Sequence, residues 1–295
     1  MAKILITGGS GMLGSYVAVQ AAESGWETWA TYTQHKIEIS ECETIQLDIR
    51  DGSAVQKAFE EVRPDAVIHT AAMAKPDICE VEKGDTYAVN VIGTQNIISA
   101  CEKVGTRLVH VSTDMVFNGE RNPYKTDAPL SPMNYYGLTK VGAETAVYAS
   151  KIDWAIVRTA IIYGPRKFPW LESFSDKIIE TLQAGKTLGA FVDQYRPPIP
   201  AWNLAEVLLE IADRKLTGIF HAVCPEPSTR FQFARKVAEV YGLDPELVTP
   251  IYMDEAQPQA FRQKILILDA ISTSRALNSR LLGFEEGIKG LINRR

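Results

Sequence analysis

No stretch of the sequence holds the roughly 18 consecutive apolar residues that a membrane-spanning helix needs, so no membrane partner is expected. Cysteine is scarce. Its 4 residues, Cys42, Cys79, Cys101 and Cys224, form no C-x-x-C pair and no cysteine–histidine cluster at zinc spacing. Free thiols and the absence of a metal site are the expectation. Basic residues are outnumbered, 31 Lys and Arg against 36 Asp and Glu, and a net charge of −5 offers no positive stripe to a nucleic acid. The opening MAKILITGG enters a strand-like run at once, without a signal peptide's apolar core and cleavage site, so the expected location is the cytoplasm. What remains is ordinary for a soluble globular protein: 295 residues, 46% hydrophobic and 23% charged, enough for one or two cores.

The first half alternates short β-branched runs with amphipathic segments. Strands are expected at Lys3–Thr7, Glu27–Tyr32, Glu43–Leu47, Ala66–His69, Arg107–Ser112 and Trp154–Arg158. Helices are expected at Met12–Glu23, from an Asp51 or Ser53 cap to about Val62, at Asp85–Val104 and at Met133–Ser150. Such alternation points to a parallel sheet with helices on both faces. After Tyr163 the rhythm breaks. Residues 164–202 are rich in proline and aromatics and read as a loop-bearing segment shaped around a ligand. A helix at Leu204–Asp213, a strand at Gly218–Ala222 and a helix at Thr229–Tyr241 follow.

Thr7–Ser15 reads TGGSGMLGS between the first strand and the first helix, with Gly8, Gly11 and Gly14 in a G-x-x-G-x-x-G spacing. One glycine permits the turn, one lets a pyrophosphate approach the backbone, and one lets the helix pack close to the sheet. The helix N-terminus then offers free N–H groups to the anion. In that position the motif argues for a dinucleotide site formed by Gly8, Ser10, Gly11, Met12, Leu13 and Gly14, rather than a functionless turn. The fold expected is α/β: a Rossmann-like, doubly wound parallel sheet with a smaller C-terminal substrate lobe. Residues 1–160 would be the dinucleotide-binding domain and 161–295 mainly the lobe, with about 199–213 a candidate to pack back onto the first domain. Asp48, with Ile49 beside it at the end of the third strand, suits the adenine amino group, or else caps a helix. After the second strand, TYTQHK carries no acid for the ribose hydroxyls; His35 and Lys36 instead lean toward the 2′-phosphate of NADP over NAD.

Tyr136 and Lys140 stand four apart on an expected helix, and so on one face. Free tyrosine has a pKa near ~10, and a neighbouring cation is expected to lower it until the phenol can protonate a carbonyl oxygen as hydride arrives at its carbon. Tyr163 and Lys167 share the spacing, but Gly164-Pro165 separates them. Ser112 or Thr113, at the end of the preceding strand, can donate a hydrogen bond to the substrate oxygen. Asn90, inside a helix, is either an ordinary polar residue or the holder of a water linking Lys140 to solvent.

With these residues in view the chain resembles an extended short-chain dehydrogenase/reductase, and within that superfamily the dTDP-4-dehydrorhamnose reductase family. The matching stretches are TGGSGMLGS, LDIRD, HTAA, AVNVIGTQNI, VSTDMVFNG, PMNYYGLTK, VRTAIIYG and VDQYRPPIPAWNLAEVL. The resemblance implies a catalytic set of Thr113, Tyr136 and Lys140. It also implies that Ala71 and Ala72 lie against the nicotinamide ribose. The implied substrate is a 4-keto nucleotide sugar, and a homodimer is possible. Met115 stands where 4,6-dehydratases of the superfamily carry a glutamate, which argues against elimination chemistry. Four positions depart from the reductase pattern on the substrate side: Met115 for a tyrosine, Ile161 for an aromatic, Arg196 for a glycine and Gln263 for a proline. Two other functions fit the same motifs. One is a nucleotide-sugar epimerase with a retained cofactor; the other is a non-catalytic NADP-binding subunit like the methionine adenosyltransferase beta subunits, which the chain also resembles.

Overall fold

The computed structural model describes residues 1–256 and 258–294. Strand β1 (Lys3–Thr7) leads through the glycine turn into α1 (Met12–Glu23), and β2 (Glu27–Tyr32), β3 (Cys42–Gln46), α2 (Gly52–Val62) and β4 (Ala66–His69) follow. Helices α3 (Pro76–Val81) and α4 (Lys83–Tyr87) pass through a π-helical turn at Ala88–Gly93 into α5 (Thr94–Val104). Next come β5 (Arg107–Thr113), a 3-10 turn at Asp114–Val116, α6 (Tyr135–Ala149), β6 (Trp154–Thr159) and β7 (Ile162–Tyr163). The remainder holds α7 (Phe174–Gln183), β8 (Leu188–Phe191), β9 (Tyr195–Arg196), β10 (Ile199–Pro200), α8 (Ala201–Asp213), β11 (Gly218–His221), β12 (Ser228–Thr229), α9 (Arg230–Val240), β13 (Val248–Ile251), α10 (Ile271–Ala276) and α11 (Phe284–Lys289).

The central sheet has 7 strands in the order β3-β2-β1-β4-β5-β6-β11, every pair parallel. Both faces are covered, as a parallel sheet requires. Along β1 the side chains alternate: Ile4 and Ile6 pack with Val17 and Ala18 of α1 on one face, while Leu5 packs with Val55 and Phe59 of α2 and Ile97 of α5 on the other. The strand order reverses between β1 and β4, where the chain has built outward to β3 and returns to the other side of β1. Ligands of such sheets bind beyond the carboxyl ends at this reversal. The glycine turn after β1 and the Thr70–Ala72 segment after β4 meet there.

Four expectations need correction. The single helix expected at Asp85–Val104 begins earlier, breaks at Glu82 and carries the π-turn, within which the Asn90 amide is hydrogen-bonded to the Met73 backbone. The loop-bearing stretch also holds a helix that was not expected, α7, capped by Ser173, whose hydroxyl accepts from the Asp176 N–H, and anchored by buried Ile178, Ile179 and Leu182. Its proline-rich flanks obscured that period. Helix α8 starts at Ala201, not Leu204. Finally, β11 is not part of a separate lobe. It pairs with β6 as the last strand of the sheet, and the backbone carbonyl of Trp202 in α8 accepts from the Gln20 side-chain amide of α1 at 3.0 Å. The β8–β13 and β9–β12 pairs, with α7, α9 and α11, come from residues on either side of the α8–β11 segment.

Candidate active site

Turn geometry at the first glycines follows from crowding. Gly8 has φ +74°, and a Cβ there would lie 2.8 Å from the Ala71 nitrogen; at Gly14 it would lie 2.1 Å from the Gly8 carbonyl oxygen. Gly11 differs. A Cβ on it would meet only the Gly8 oxygen, at 3.1 Å, so its open side looks into the cleft. Gly11 is also the N-cap of α1 and supplies no side-chain acceptor, so the first N–H groups of the helix stay open to an anion. These features fit a dinucleotide pyrophosphate.

A cleft of about 740 Å³ runs from this turn along the ends of β2 and β3, lined by Ser10, Asp48, Ile49, Ala71 and Ala72 among others. Lys36 is exposed and does not line it; Thr33 and Gln34 do. The basic side chain on this wall is Arg50, whose guanidinium lies 2.6 Å from the Asp48 carboxylate and 3.3 Å from Asp85. Arg50 holds Asp48 below the usual carboxylate range, and the acid stays ionised. His35 stacks on Trp170 at 4.7 Å, and the Trp170 indole N–H, from the segment before α7, reaches the Ser10 carbonyl at 3.2 Å.

The cleft continues into a second volume of about 760 Å³ that shares Gly8, Gly11, Thr70 and Ala72 with the first and is lined by Met12, Leu13, Gly14, Thr113, Tyr136 and Lys140. Three devices place the phenol. Asn134 caps α6 by accepting from the Gly137 N–H at 2.8 Å, so the chain turns into helix just before Tyr136. Gly137 has no Cβ; one would sit 2.2 Å from the Met115 oxygen, so α6 presses directly on the turn after β5. Thr113, ending β5, is thereby within hydrogen-bonding reach of the Tyr136 hydroxyl.

The electrostatics depart from the sequence-based expectation. Tyr136 is held above its ordinary value, because burial outweighs everything else and Asp114 and Cys79 push the same way; only the Thr113 hydrogen bond opposes them. At neutral pH the phenol is protonated, which is the form a proton donor needs. Lys140 is 3% exposed, and burial lowers its pKa to about 8 against the raising influence of Glu144. Its ammonium donates to the Val111 carbonyl at 2.8 Å and lies 3.1 Å from His110 Nε2.

The Asn90 side chain is engaged on both its polar atoms. Its Oδ1 accepts from the Met73 N–H, and its amide N–H groups donate to the Met73 carbonyl and the Thr139 hydroxyl. It is 1% exposed and ties the segment after β4 to α6. Ser112 is engaged too. Its hydroxyl donates to Glu144 at 2.5 Å, and Glu144 is gripped by Arg158 at 2.8 Å; Thr113 Oγ1 donates to Asp114 Oδ1 at 3.1 Å and accepts from the Met115 N–H at 3.2 Å, and it lines the cleft beside Tyr136.

Sequence reading missed a wall of charge facing the phenol. Asp114, Arg196, Arg230, Arg262 and Asp77 all line this volume. Arg262 is held by Asp77 at 2.7 Å, and Arg196 by Asp114 at 3.3 Å. Arg230 pairs with no carboxylate among the described residues; it donates to Gln194 at 3.1 Å and stacks on Phe174 at 4.3 Å. Burial and the neighbouring Arg196 bring its pKa down to about 9. Three guanidiniums against two carboxylates leave the wall positive, which suits an anionic ligand. Of these, Asp114 adjoins Thr113 in VSTD and Arg196 was visible as a departure; Arg230 carries no local signal.

A sequence model of the family described as RmlD substrate binding domain matches residues 2–295. The chain belongs to this family. The dTDP-4-dehydrorhamnose reductase of Mycolicibacterium smegmatis is 33% identical to this RmlD-family chain over 98% of it and 85% of its own length. The methionine adenosyltransferase 2 subunit beta of Xenopus laevis is 29% identical over 84% of this chain and 75% of its own. The dTDP-4-dehydrorhamnose reductase of Bacillus anthracis, solved in complex with NADP, is 26% identical, covers 100% of both chains and superposes with a TM-score of 0.89. Among the described residues no helix is long and apolar enough to cross a membrane, and no group of His, Cys, Asp and Glu could hold a metal ion.

Proposed function

We propose that this RmlD-family chain is an NADPH- or NADH-dependent reductase of a 4-keto nucleotide sugar, akin to the dTDP-4-dehydrorhamnose reductases. The observation that carries the reading is that Tyr136, Lys140 and Thr113 line the same cleft as the open glycine turn. A reduced nicotinamide bound there supplies the hydride that reaches the carbonyl carbon. Tyr136 delivers the balancing proton to the carbonyl oxygen, and the Thr113 hydroxyl orients that oxygen. Gly8, Ser10, Gly11, Met12, Leu13 and Gly14 cradle the pyrophosphate, Asp48 and Ile49 face the adenine, and Ala71 and Ala72 flank the nicotinamide end. Lys140 holds positive charge beside the ribose. Arg230, with no carboxylate of its own, takes the substrate diphosphate. Asp114, whose Oδ2 lies 3.3 Å from Arg196 Nε, accepts from a sugar hydroxyl as well. A cytoplasmic homodimer completes the reading.

The test is NADPH oxidation against a panel of dTDP- and UDP-linked 4-keto sugars. Turnover of at least one supports the proposal. Oxidised cofactor copurifying with the chain, together with interconversion of two sugars without net reduction, replaces it by epimerisation. The identity with the Xenopus laevis subunit gives weight to one other outcome: cofactor binding with no turnover of any sugar, plus retention on a methionine adenosyltransferase, makes the chain a regulatory subunit.

A further inference from the structure

We propose that His110 is the positioning residue of Lys140, a fixed hydrogen-bond acceptor that aims the ammonium group into the cleft. The inference rests on the reductase reading for its activity arm only.

His110 sits in the middle of β5, 0% exposed, among Leu108, Val109 and Val111, where an aliphatic side chain would pack without polar cost. Its register partner on β4 is His69, with ring centroids 5.4 Å apart. The hydrogen bonds determine which nitrogen carries the proton on each ring. Thr94 Oγ1 donates to the Asn90 carbonyl at 2.7 Å, so toward His69 Nε2, 3.1 Å away, it can only accept. His69 is therefore protonated on Nε2, and its Nδ1 accepts from Thr7 Oγ1 at 2.6 Å. Both its nitrogens are engaged away from His110.

His110 has one polar neighbour of consequence. Lys140 Nζ lies 3.1 Å from its Nε2, and an ammonium group only donates, so Nε2 offers a lone pair and the proton resides on Nδ1. That Nδ1 has no partner among the described residues. A buried N–H left without an acceptor is costly, so packing does not explain a histidine here, whereas the bond to Lys140 does.

The ammonium has three N–H groups. His110 and the Val111 carbonyl take two, leaving one for the cleft that Lys140 lines. Asn90 cannot share this task, since Met73 and Thr139 hold its amide. The titratable groups around the ammonium are Tyr136 and Glu144 on its own helix, His110 from β5 and His69 from β4. Both histidines are kept neutral by burial first and by Lys140 second, so neither repels the ammonium near neutral pH. Loss of the acceptor removes a bond made only to the charged amine and shifts its titration downward.

The test uses the full chain with His110→Gln, whose side-chain oxygen reaches the Nε2 place, and His110→Asn, which falls short of it. Lysine labelled with 13C at Cε reports Lys140 without any substrate. His110→Asn is expected to lower the Lys140 midpoint by about one pH unit, from about 8 in the wild type. The alkaline limb of kcat/KM should move with it, and kcat should fall about tenfold with the keto-sugar KM within about twofold. His110→Gln should match the wild type in each respect. An unchanged midpoint in His110→Asn, or equal damage in both variants, overturns the proposal. Nitrogen-15 spectra of the wild-type rings are a check that needs no variant to fold: Nδ1–H with bare Nε2 at His110 supports it, and Nε2–H overturns it. If no keto sugar is reduced, the Lys140 titration and the ring spectra still decide the role of His110, so the two readings fail separately.

Discussion

Arg196 and Asp114 face each other inside the wall of the substrate cleft, Nε to Oδ2 at 3.3 Å, with side chains 3% and 5% exposed. The same guanidinium donates to the carbonyls of Tyr195 and Gln263 at 2.8 Å, and the Gln263 amide donates to the Phe117 carbonyl at 2.6 Å. Two of the four positions that depart from the reductase pattern thus touch each other, and Met115 and Ile161 line the same volume. Three of the departures, Met115, Ile161 and Arg196, line the cleft, and Gln263 lies behind them with its carbonyl held by Arg196. Arg196→Met takes from Asp114 its ion-pair partner, leaving Arg230 as the remaining neighbouring cation, and strips the donors from the Tyr195 and Gln263 carbonyls, so the unfolding free energy should fall by about 3–5 kcal/mol. Adding Asp114→Asn should restore much of that. Urea titration of the single and double variants measures it, and a single variant as stable as the wild type would refute the pairing.

Tyr136→Phe removes the proton donor and little else, since the ring remains packed. Turnover should drop by about 10²–10⁴-fold, with NADPH affinity unchanged to within a few fold. Stopped-flow hydride transfer and fluorescence titration separate the two quantities. Near-normal turnover would rule the phenol out as the acid.

At Gly11 the only space for a side chain lies toward the cleft, because on the other side the Gly8 carbonyl is 3.1 Å from the place of a Cβ. Gly11→Val should therefore abolish measurable NADPH binding while leaving the fold intact by circular dichroism. Unchanged affinity in calorimetry would count against the pyrophosphate cradle.

Three buried histidines make stability sensitive to acid. Burial carries His69 down to about 3 and His221 to about 4, and takes His110 well below its ordinary value. Each folded value lies below the unfolded ~6.5, so between them the unfolded chain binds more protons than the native one. Stability from these groups is complete above about pH 6.5 and is lost on acidification, approaching about 1.4 kcal/mol per pH unit for each histidine. Denaturation midpoints measured from pH 7 down to pH 5 should decline; a flat profile over that span contradicts the neutral burial of these rings.

The sheet and the reacting pair were legible because their signals are local. Aliphatic runs such as KILIT, the glycine turn, and a Tyr-x-x-x-Lys spacing are each complete within a few residues. What escaped depends on distance along the chain. Arg196 meets a carbonyl at position 263, and Arg262 reaches Asp77 across 185 residues. Lys36 looked basic in the right place, yet the backbone after β2 turns it to solvent, and Arg50 lines the cleft in its stead. Asn90 was noticed for being polar inside a helix; its actual partners, Met73 and Thr139, belong to elements that sequence spacing does not bring near it. Helix α7 was hidden for the opposite reason, since strong proline and aromatic signals next to it masked an ordinary amphipathic turn.

Because β11 arrives only after α8, a chain cut at residue 160 stops one strand short, with the aliphatic ribbon WAIVRT of β6 bare along its outer margin. Unpaired margins of that kind recruit other chains. Ribosomal synthesis must pass residue 221 before the ribbon is sheathed, so the protein's period of greatest exposure to aggregation falls between those two points, and limited proteolysis should not release the front half as a soluble fragment.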